Sequence, residues 1–262
     1  MDNKWRATLR RLTGIEATYD PATERRLSAL GVGPGWSCLE LGAGAGSVAR
    51  WLADRVGTDG RVVAADLDVS LLGDLGSGTL LVRELDVRTD PLPEKEFDLI
   101  HTRLVLNHIS EREQVLDKLV AALRPGGWLL LEEGDTFATG AIDEEEDHTR
   151  VMRAWCDELA KAADVDLGRK VPRMLHERGL SEIGVECEVP FVEGGTIGVE
   201  WVRLTFDQLN ERAGGRLVDP GTLSRWTEMI GQPGRWFALL GLVATRGRRT
   251  HSSIGPGAGV PR

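Results

Sequence analysis

The segment Glu40-Leu41-Gly42-Ala43-Gly44-Ala45-Gly46-Ser47 has the residue types to hold a ligand against bare backbone. An apolar run from Cys38 leads into it and a helical pattern leaves it, the order of a strand, a tight turn and a helix N-terminus. Glycine is needed where φ turns positive or where a ligand meets the main chain with no Cβ between them. The glycines fall as G-x-G-x-G, not as the dinucleotide fingerprint G-x-G-x-x-G, whose third glycine packs helix on strand. Glu40, at the carboxyl end of its strand, repels a pyrophosphate and suits a ligand with an ammonium group and no phosphate. This segment alone leaves open a plain Gly-rich turn beside a solvated Glu.

Further acids stand at the ends of the following apolar runs. Arg61 to Asp68 is a second strand, and Asp66 follows Gly46 by 20 residues, near the spacing of a carboxylate that grips a ribose diol. Leu80 to Val87 is a third, with Asp86 placed to accept from an adenine amino group. Leu67 and Val87 stand beside these acids and join the candidate cofactor residues, with Gly42, Ala43, Gly44 and Gly46. Phe97 to His101 is a fourth strand, and Arg124-Pro125-Gly126-Gly127 turns sharply into a fifth, Trp128 to Glu132. S-adenosylmethionine, an adenosine with a sulfonium and an amino-acid tail, meets these demands.

Taken in order, Glu40 to Gly46, Asp66, Asp86, Phe97-Asp98-Leu99 and Leu123 to Gly127 resemble the class I S-adenosylmethionine-dependent methyltransferases. The likeness is to the small-molecule group related to the ubiquinone and menaquinone biosynthesis enzymes, across roughly residues 36–133. It implies an α/β fold: a Rossmann-like seven-stranded sheet, mostly parallel with an antiparallel last strand, and helices on both faces. It also implies S-adenosylmethionine as cofactor, S-adenosylhomocysteine as product and a small-molecule acceptor.

The 262 residues suffice for one domain with insertions, expected over 1–246. Hydrophobic content of 41% and charged content of 28% are those of a soluble globular protein. No apolar run approaches a membrane span, and Met1 to Arg6 lacks the apolar core of a signal peptide. Cys38, Cys156 and Cys187 are scattered without metal-type spacing, so reduced thiols in the cytoplasm and no metal are expected. Acids outnumber bases 41 to 32, which argues against a nucleic-acid substrate. The acidic run Asp143 to Asp147 reads as a solvated helix start. A monomer or homodimer is expected.

Helical spacing places a lead-in over 1–35, in two pieces: one through Trp5, Leu9 and Leu12, and one over Ala22 to Leu30 capped by Asp20 or Thr23. Glu111 to Leu123 is amphipathic with Ser110 as N-cap. After the core at 36–135, helices are expected over Asp143 to Ala163, Arg169 to Arg178, Thr196 to Ala213 and Pro220 to Ile230. They belong to a region, 136–230, that covers the substrate pocket. Ile183 to Phe191 and Trp236 to Thr245 are the last two strands, the latter within 235–246, and 247–262 reads as a disordered tail.

Methyl transfer from a sulfonium is an in-line displacement, so the protein mainly aligns the reactants and excludes water. His108 is the candidate base, in a segment the resemblance places beside the methyl group; a capping or packing histidine is the other reading. Arg103 is placed to meet the cofactor's carboxylate or a substrate acid, or to pack at the surface. Glu132, Glu133 and Asp135 leave the fifth strand toward the pocket, with Asp135 a candidate catalytic group. Tyr19 is expected to close over the cofactor, and Trp155 and Trp201 to line an acceptor pocket. Trp226 and Trp236 are assigned to the core, and His148 to a solvated helix face. The rivals are a cyclase or binding role on the same fold, a peptide methyltransferase, and a nicotinamide oxidoreductase, which Glu40 opposes.

Overall fold

A computed structural model describes residues 7–73, 75–76, 78–136 and 145–251. Trp5, Asp143, Glu144 and the expected tail from 252 onward lie outside the described residues.

The strands are β1 (Ser37–Leu41), β2 (Arg61–Asp66), β3 (Leu80–Glu84), β4 (Phe97–Arg103), β5 (Leu123–Asp135), β6 (Ser181–Glu188), β7 (Phe191–Glu193), β8 (Trp236–Ala238) and β9 (Gly241–Arg248). Seven of them form one sheet in the order β3-β2-β1-β4-β5-β9-β6. Neighbours from β3 to β5 pair in parallel, and β9 runs antiparallel to both β5 and β6. The helices are α1 (Thr8–Ala29), α2 (Ser47–Val56), α3 (Arg112–Ala122), α4 (Glu146–Leu159), α5 (Val171–Glu177), α6 (Ile197–Arg212) and α7 (Pro220–Ile230).

Strand alternation explains the two-sided core. Leu39, Leu41, Val63, Ala65, Ile100, Leu129 and Leu131 join α3 and α5 in one apolar cluster. Their sequence neighbours Cys38, Val62, Ala64, Leu99 and Leu130 join α2 and Leu27 of α1 in another. A third cluster, built from Trp155, Trp201, Phe206, Trp226 and Phe237, lies within the helices α4, α6 and α7 and the strand β8. The chain steps from β1 out to β3, then returns to lay β4 on the other side of β1. That reversal opens a crevice at the carboxyl ends of β1 and β4, where open α/β sheets bind ligands.

Several local expectations are corrected. The lead-in is one helix, with Pro21 inside it. Pro21 removes one helical hydrogen bond, but α1 lies along α6, where a Cβ on Gly14 would stand 2.6 Å from the Trp201 Cβ. Tertiary packing holds the helix through the proline. Asp20 and Thr23 therefore cap nothing and face the sheet, as described below. Ser110 is no N-cap either: its hydroxyl donates to Glu111, and α3 begins without a side-chain cap.

The apolar run at 236–245 is two strands. β8 leaves to pair with β7 in a separate two-stranded sheet, and β9 continues to Arg248, two residues past the expected end. Trp236 is 61% exposed on that small sheet and is no core residue, whereas Trp226 is fully buried. Its indole N–H donates to Nδ1 of His148 at 3.1 Å, so His148 is buried, not solvated. No described helix is long and apolar enough to cross a membrane.

Candidate active site

The glycine turn after β1 is built by backbone contacts. The N–H groups of Gly42 and Ala43 both donate to the carbonyl of Ala65, locking the turn to β2. Gly42 has φ +77°, and a Cβ there would stand 2.2 Å from Val105 Cγ2. Gly44 has φ +58° with no atom nearer than 3.8 Å to a built Cβ, so the space above it is open. Gly46 serves the protein instead: a Cβ there would meet Leu75 at 2.6 Å, and Gly46 does not line the cavity. Asp66 reaches across to the same turn, its Oδ2 accepting from the Gly44 N–H at 2.9 Å.

A cavity of about 390 Å³ runs from this turn into the helical cover, within the size range of small-molecule sites. The structure brings to its wall the predicted Glu40, Gly42, Ala43, Gly44, Asp66, Leu67, Asp86, Val87, Arg103, His108, Trp155 and Trp201. It keeps three others away. Tyr19 is buried off the wall, its hydroxyl donating to the Leu240 carbonyl at 2.8 Å and its ring 6.0 Å from that of Trp201. Asp135 is fully buried in β5 and held by both Nε and Nη2 of Arg169, at 2.7 and 2.6 Å. A carboxylate clamped by a guanidinium and off the wall is no catalytic base. Gly46 is the third.

The acids of β5 do not leave the strand for the pocket. Glu132, Glu133 and Asp135 are all buried within it. Glu133 accepts from the backbone N–H groups of Val105, Leu106 and Asn107, and so holds the turn that carries His108. Burial raises its pKa to about 7, against the pull of those three donors. Glu132 belongs to a charged row across the sheet. Glu40 and His101 are register partners on β1 and β4, with Nδ1 2.6 Å from the carboxylate. The other ring nitrogen faces Glu132 at 3.4 Å. Burial alone would lower the pKa of His101, but the two carboxylates lift it to about 9. Burial raises that of Glu40, with His101 opposing.

Arg26 of α1 closes the row from above, donating to Glu132 and Glu188 at 2.8 Å each and to Glu186 at 3.2 Å. Arg103 donates to Asp20 and Thr23, at 2.8 and 2.9 Å, while still lining the cavity. His101 lies inside β4, as the fourth apolar run implies, and is fully buried.

Beyond the end of β3, Asp86 is gripped by Arg88 through Nε at 2.8 Å and Nη2 at 2.6 Å, and these bonds pull its pKa down to about 2. At the far end, His108 is exposed at the cavity, and burial of its surroundings together with the Arg11 charge lowers its pKa to about 4. It is neutral at pH 7, with a free lone pair but little basicity. Sequence reasoning missed the α1 residues on the wall: Arg11, Leu12, Ile15 and Glu16. Their helical spacing was visible, but nothing local says which surface α1 covers.

A parallel sheet reversed between β1 and β4, antiparallel only at β9, with a glycine turn and three successive strand-end acids, defines a class I S-adenosylmethionine-dependent methyltransferase fold. Residues 39–131 match the methyltransferase-domain family, and this part of the chain is similar to the UbiE-type enzymes. The ubiquinone/menaquinone biosynthesis C-methyltransferase UbiE of Laribacter hongkongensis is 34% identical over 113 residues, 41% of this chain and 46% of that protein. Methyltransferase str2 of Strobilurus tenacellus is 31% identical over 156 residues, 58% of this chain and 56% of that protein. The chain thus spans about half the length of the curated relatives it matches. Among solved structures, the YcgJ protein of Bacillus subtilis covers 89% of this chain and 100% of its own, with a TM-score of 0.60 at 14% identity. The (4+2) cyclase SpnF covers 88% and 84%, with a TM-score of 0.54 at 16% identity. At such identities the likeness is one of fold.

Proposed function

We propose that the protein transfers a methyl group from S-adenosylmethionine to an O, N or C nucleophile of a small organic molecule, such as a secondary metabolite. The observation that carries this reading is one continuous cavity: Glu40, Gly42 to Gly44, Asp66 and Asp86 line one part, and Trp155, Trp201 and His108 another. The residues fit the cofactor. Gly44 leaves open space over the turn, Glu40 offers a carboxylate to an ammonium, Asp66 offers one to a diol, and Leu67 and Val87 offer apolar wall. When bound, the cofactor supplies an electrophilic methyl group on a good leaving group.

What the chain contributes is position and dryness. The buried indoles of Trp155 and Trp201, with Leu240, exclude water from the acceptor side. Glu133 fixes the turn bearing His108, and neutral His108 is placed to take a proton from an acidic nucleophile. A cavity of about 390 Å³ favours a small molecule over a peptide, which needs a longer groove. No role for the chain in nucleic-acid or membrane chemistry is proposed, and cytoplasmic action is the setting that its reduced thiols suggest.

The test is calorimetric titration with S-adenosylhomocysteine, then incubation with methyl-labelled cofactor and a panel of small acceptors. Binding followed by label transfer is expected. A folded chain that binds no S-adenosylhomocysteine contradicts the reading, and binding without transfer to any acceptor favours a cyclase or binding role.

A further inference from the structure

One charge on the cavity wall has no counter-charge among the described residues. Arg11 is 6% exposed and lines the cavity, and its guanidinium has no hydrogen-bond or ion-pair partner among the described residues. The charge that bears on it most is another cation, Arg212, and burial with that neighbour lowers its pKa to about 10. Glu16, Glu40, Asp66, Asp86 and Arg103 line the same cavity, and each has a protein partner. A lone buried cation is costly, by several kcal/mol after relaxation. Nothing within the described protein offsets that cost.

Position separates Arg11 from the cofactor end. Leu12 and Glu16, four apart on α1, face the glycine turn: Leu12 is the side chain nearest a Cβ built on Gly44, and Glu16 accepts from the N–H of Ser47 at 3.2 Å. Arg11 and Ile15 form the adjacent stripe. Ile15 packs against the cluster holding Trp155 and Trp201, and the Arg11 charge is felt at His108. The indole N–H groups of Trp155 and Trp201 are themselves buried without a partner among the described residues. An indole nitrogen only donates, and so does a guanidinium. On the cavity wall itself, Arg11 is thus a donor in want of an oxygen acceptor, and the side-chain carbonyl of Asn107, beside His108, is an acceptor likewise without a partner among the described residues.

We propose that the methyl acceptor is a small organic anion whose carboxylate, phenolate or enolate oxygen is bound by Arg11. The proposal rests on the methyl-transfer reading and assigns the charge of its substrate.

The full chain, saturated with S-adenosylhomocysteine, is titrated calorimetrically with 2-naphthoate, with neutral 2-naphthamide, and with 4-nitrophenolate beside 4-nitroanisole. At least one anion is expected to bind about tenfold or more tighter than its neutral counterpart, and which pair shows the preference separates carboxylate from phenolate. Arg11→Met is expected to abolish the preference, leave S-adenosylhomocysteine affinity within about twofold, and raise the ligand-free melting temperature by removing an unpaired buried charge. Arg11→Lys is expected to keep the preference.

Equal binding of anion and neutral analogue by the wild type overturns the proposal, as does binding of neither. A tenfold or greater loss of S-adenosylhomocysteine affinity in Arg11→Met, on the order of a lost charged contact, assigns Arg11 to the cofactor instead. A fall in ligand-free melting temperature makes it a structural residue. If the wild type binds no S-adenosylhomocysteine, the methyl-transfer reading fails and takes the acceptor assignment with it. Retained binding with no anion preference overturns the acceptor assignment alone.

Discussion

Glu40 and His101 sit side by side on adjacent parallel strands, with Nδ1 2.6 Å from the carboxylate and both side chains buried. Glu40, on the cavity wall near the end of β1, is thus also half of a buried ion pair. Because His101 also faces Glu132, the imidazolium links the cavity end of β1 to the ion-pair row under α1. Glu40 is thereby held in place without being left as a lone buried anion.

Stability should fall with rising pH through this pair. The folded chain holds the His101 proton up to about pH 9, from an ordinary value of 6.5. Its contribution is fully present below pH 6.5 and lost as pH rises through 9. Melting temperatures measured between those limits should decline in the wild type and decline less in His101→Gln. Parallel curves for the two proteins would sink the assignment.

Glu133 titrates in a lower window. Its folded pKa of about 7 lies above the ordinary 4.5, so its contribution is complete below pH 4.5 and lost as pH rises through 7. Glu133→Gln keeps a carbonyl acceptor for the Val105–Asn107 turn and should flatten the stability curve over that range. Chemical denaturation at a series of pH values checks it.

Arg26 bridges three carboxylates from α1 to β5 and β6. Arg26→Met leaves those acids without their guanidinium and should cost about 3–5 kcal/mol, lowering the melting temperature by roughly 10 °C. A change within a degree or two would show that α1 is held by apolar packing alone.

Gly42 and Gly44 should respond differently to a side chain. Gly42→Ala places a Cβ into Val105 at a φ of +77° and is expected to destabilise the fold by at least about 1–3 kcal/mol. Val105→Ala in the same chain should recover part of that loss, because the clash goes and the strain stays. Gly44→Val meets open space in the ligand-free protein. It should cost only the positive-φ strain of about 1–2 kcal/mol, yet abolish S-adenosylhomocysteine binding by calorimetry.

Asp66 should matter through charge more than through shape. Asp66→Asn retains an acceptor for the Gly44 N–H and should fold normally, while S-adenosylhomocysteine affinity falls by about tenfold or more, since a neutral amide binds a diol less strongly than a carboxylate. Unchanged affinity would remove Asp66 from the cofactor site.

The strand, turn and helix at 37–56, the acids at Asp66 and Asp86, and the helix from Pro220 were legible in the sequence. Each is set by neighbours within a few positions: an apolar run, a glycine that alone tolerates the turn, an N-cap Asp219 two residues before Gly221. The family order of five such signals then implied the sheet, and with it the cavity at the reversal between β1 and β4. What the sequence did not carry is every contact between distant positions. Glu40 meets His101 across 61 residues and Arg26 meets Glu132 across 106, so no local pattern marks them. Asp135 carried the composition of a catalytic acid, and only the fold shows it clamped by Arg169. Pro21 carried the signature of a break, and only packing against α6 keeps α1 whole. The sequence by itself determined the glycine turn and the strand-end acids on which the cofactor reading rests, because these are local chemistry. The tertiary structure alone decided which charges are paired and which one, Arg11, is left facing the cavity, because burial and pairing depend on what the rest of the chain brings near.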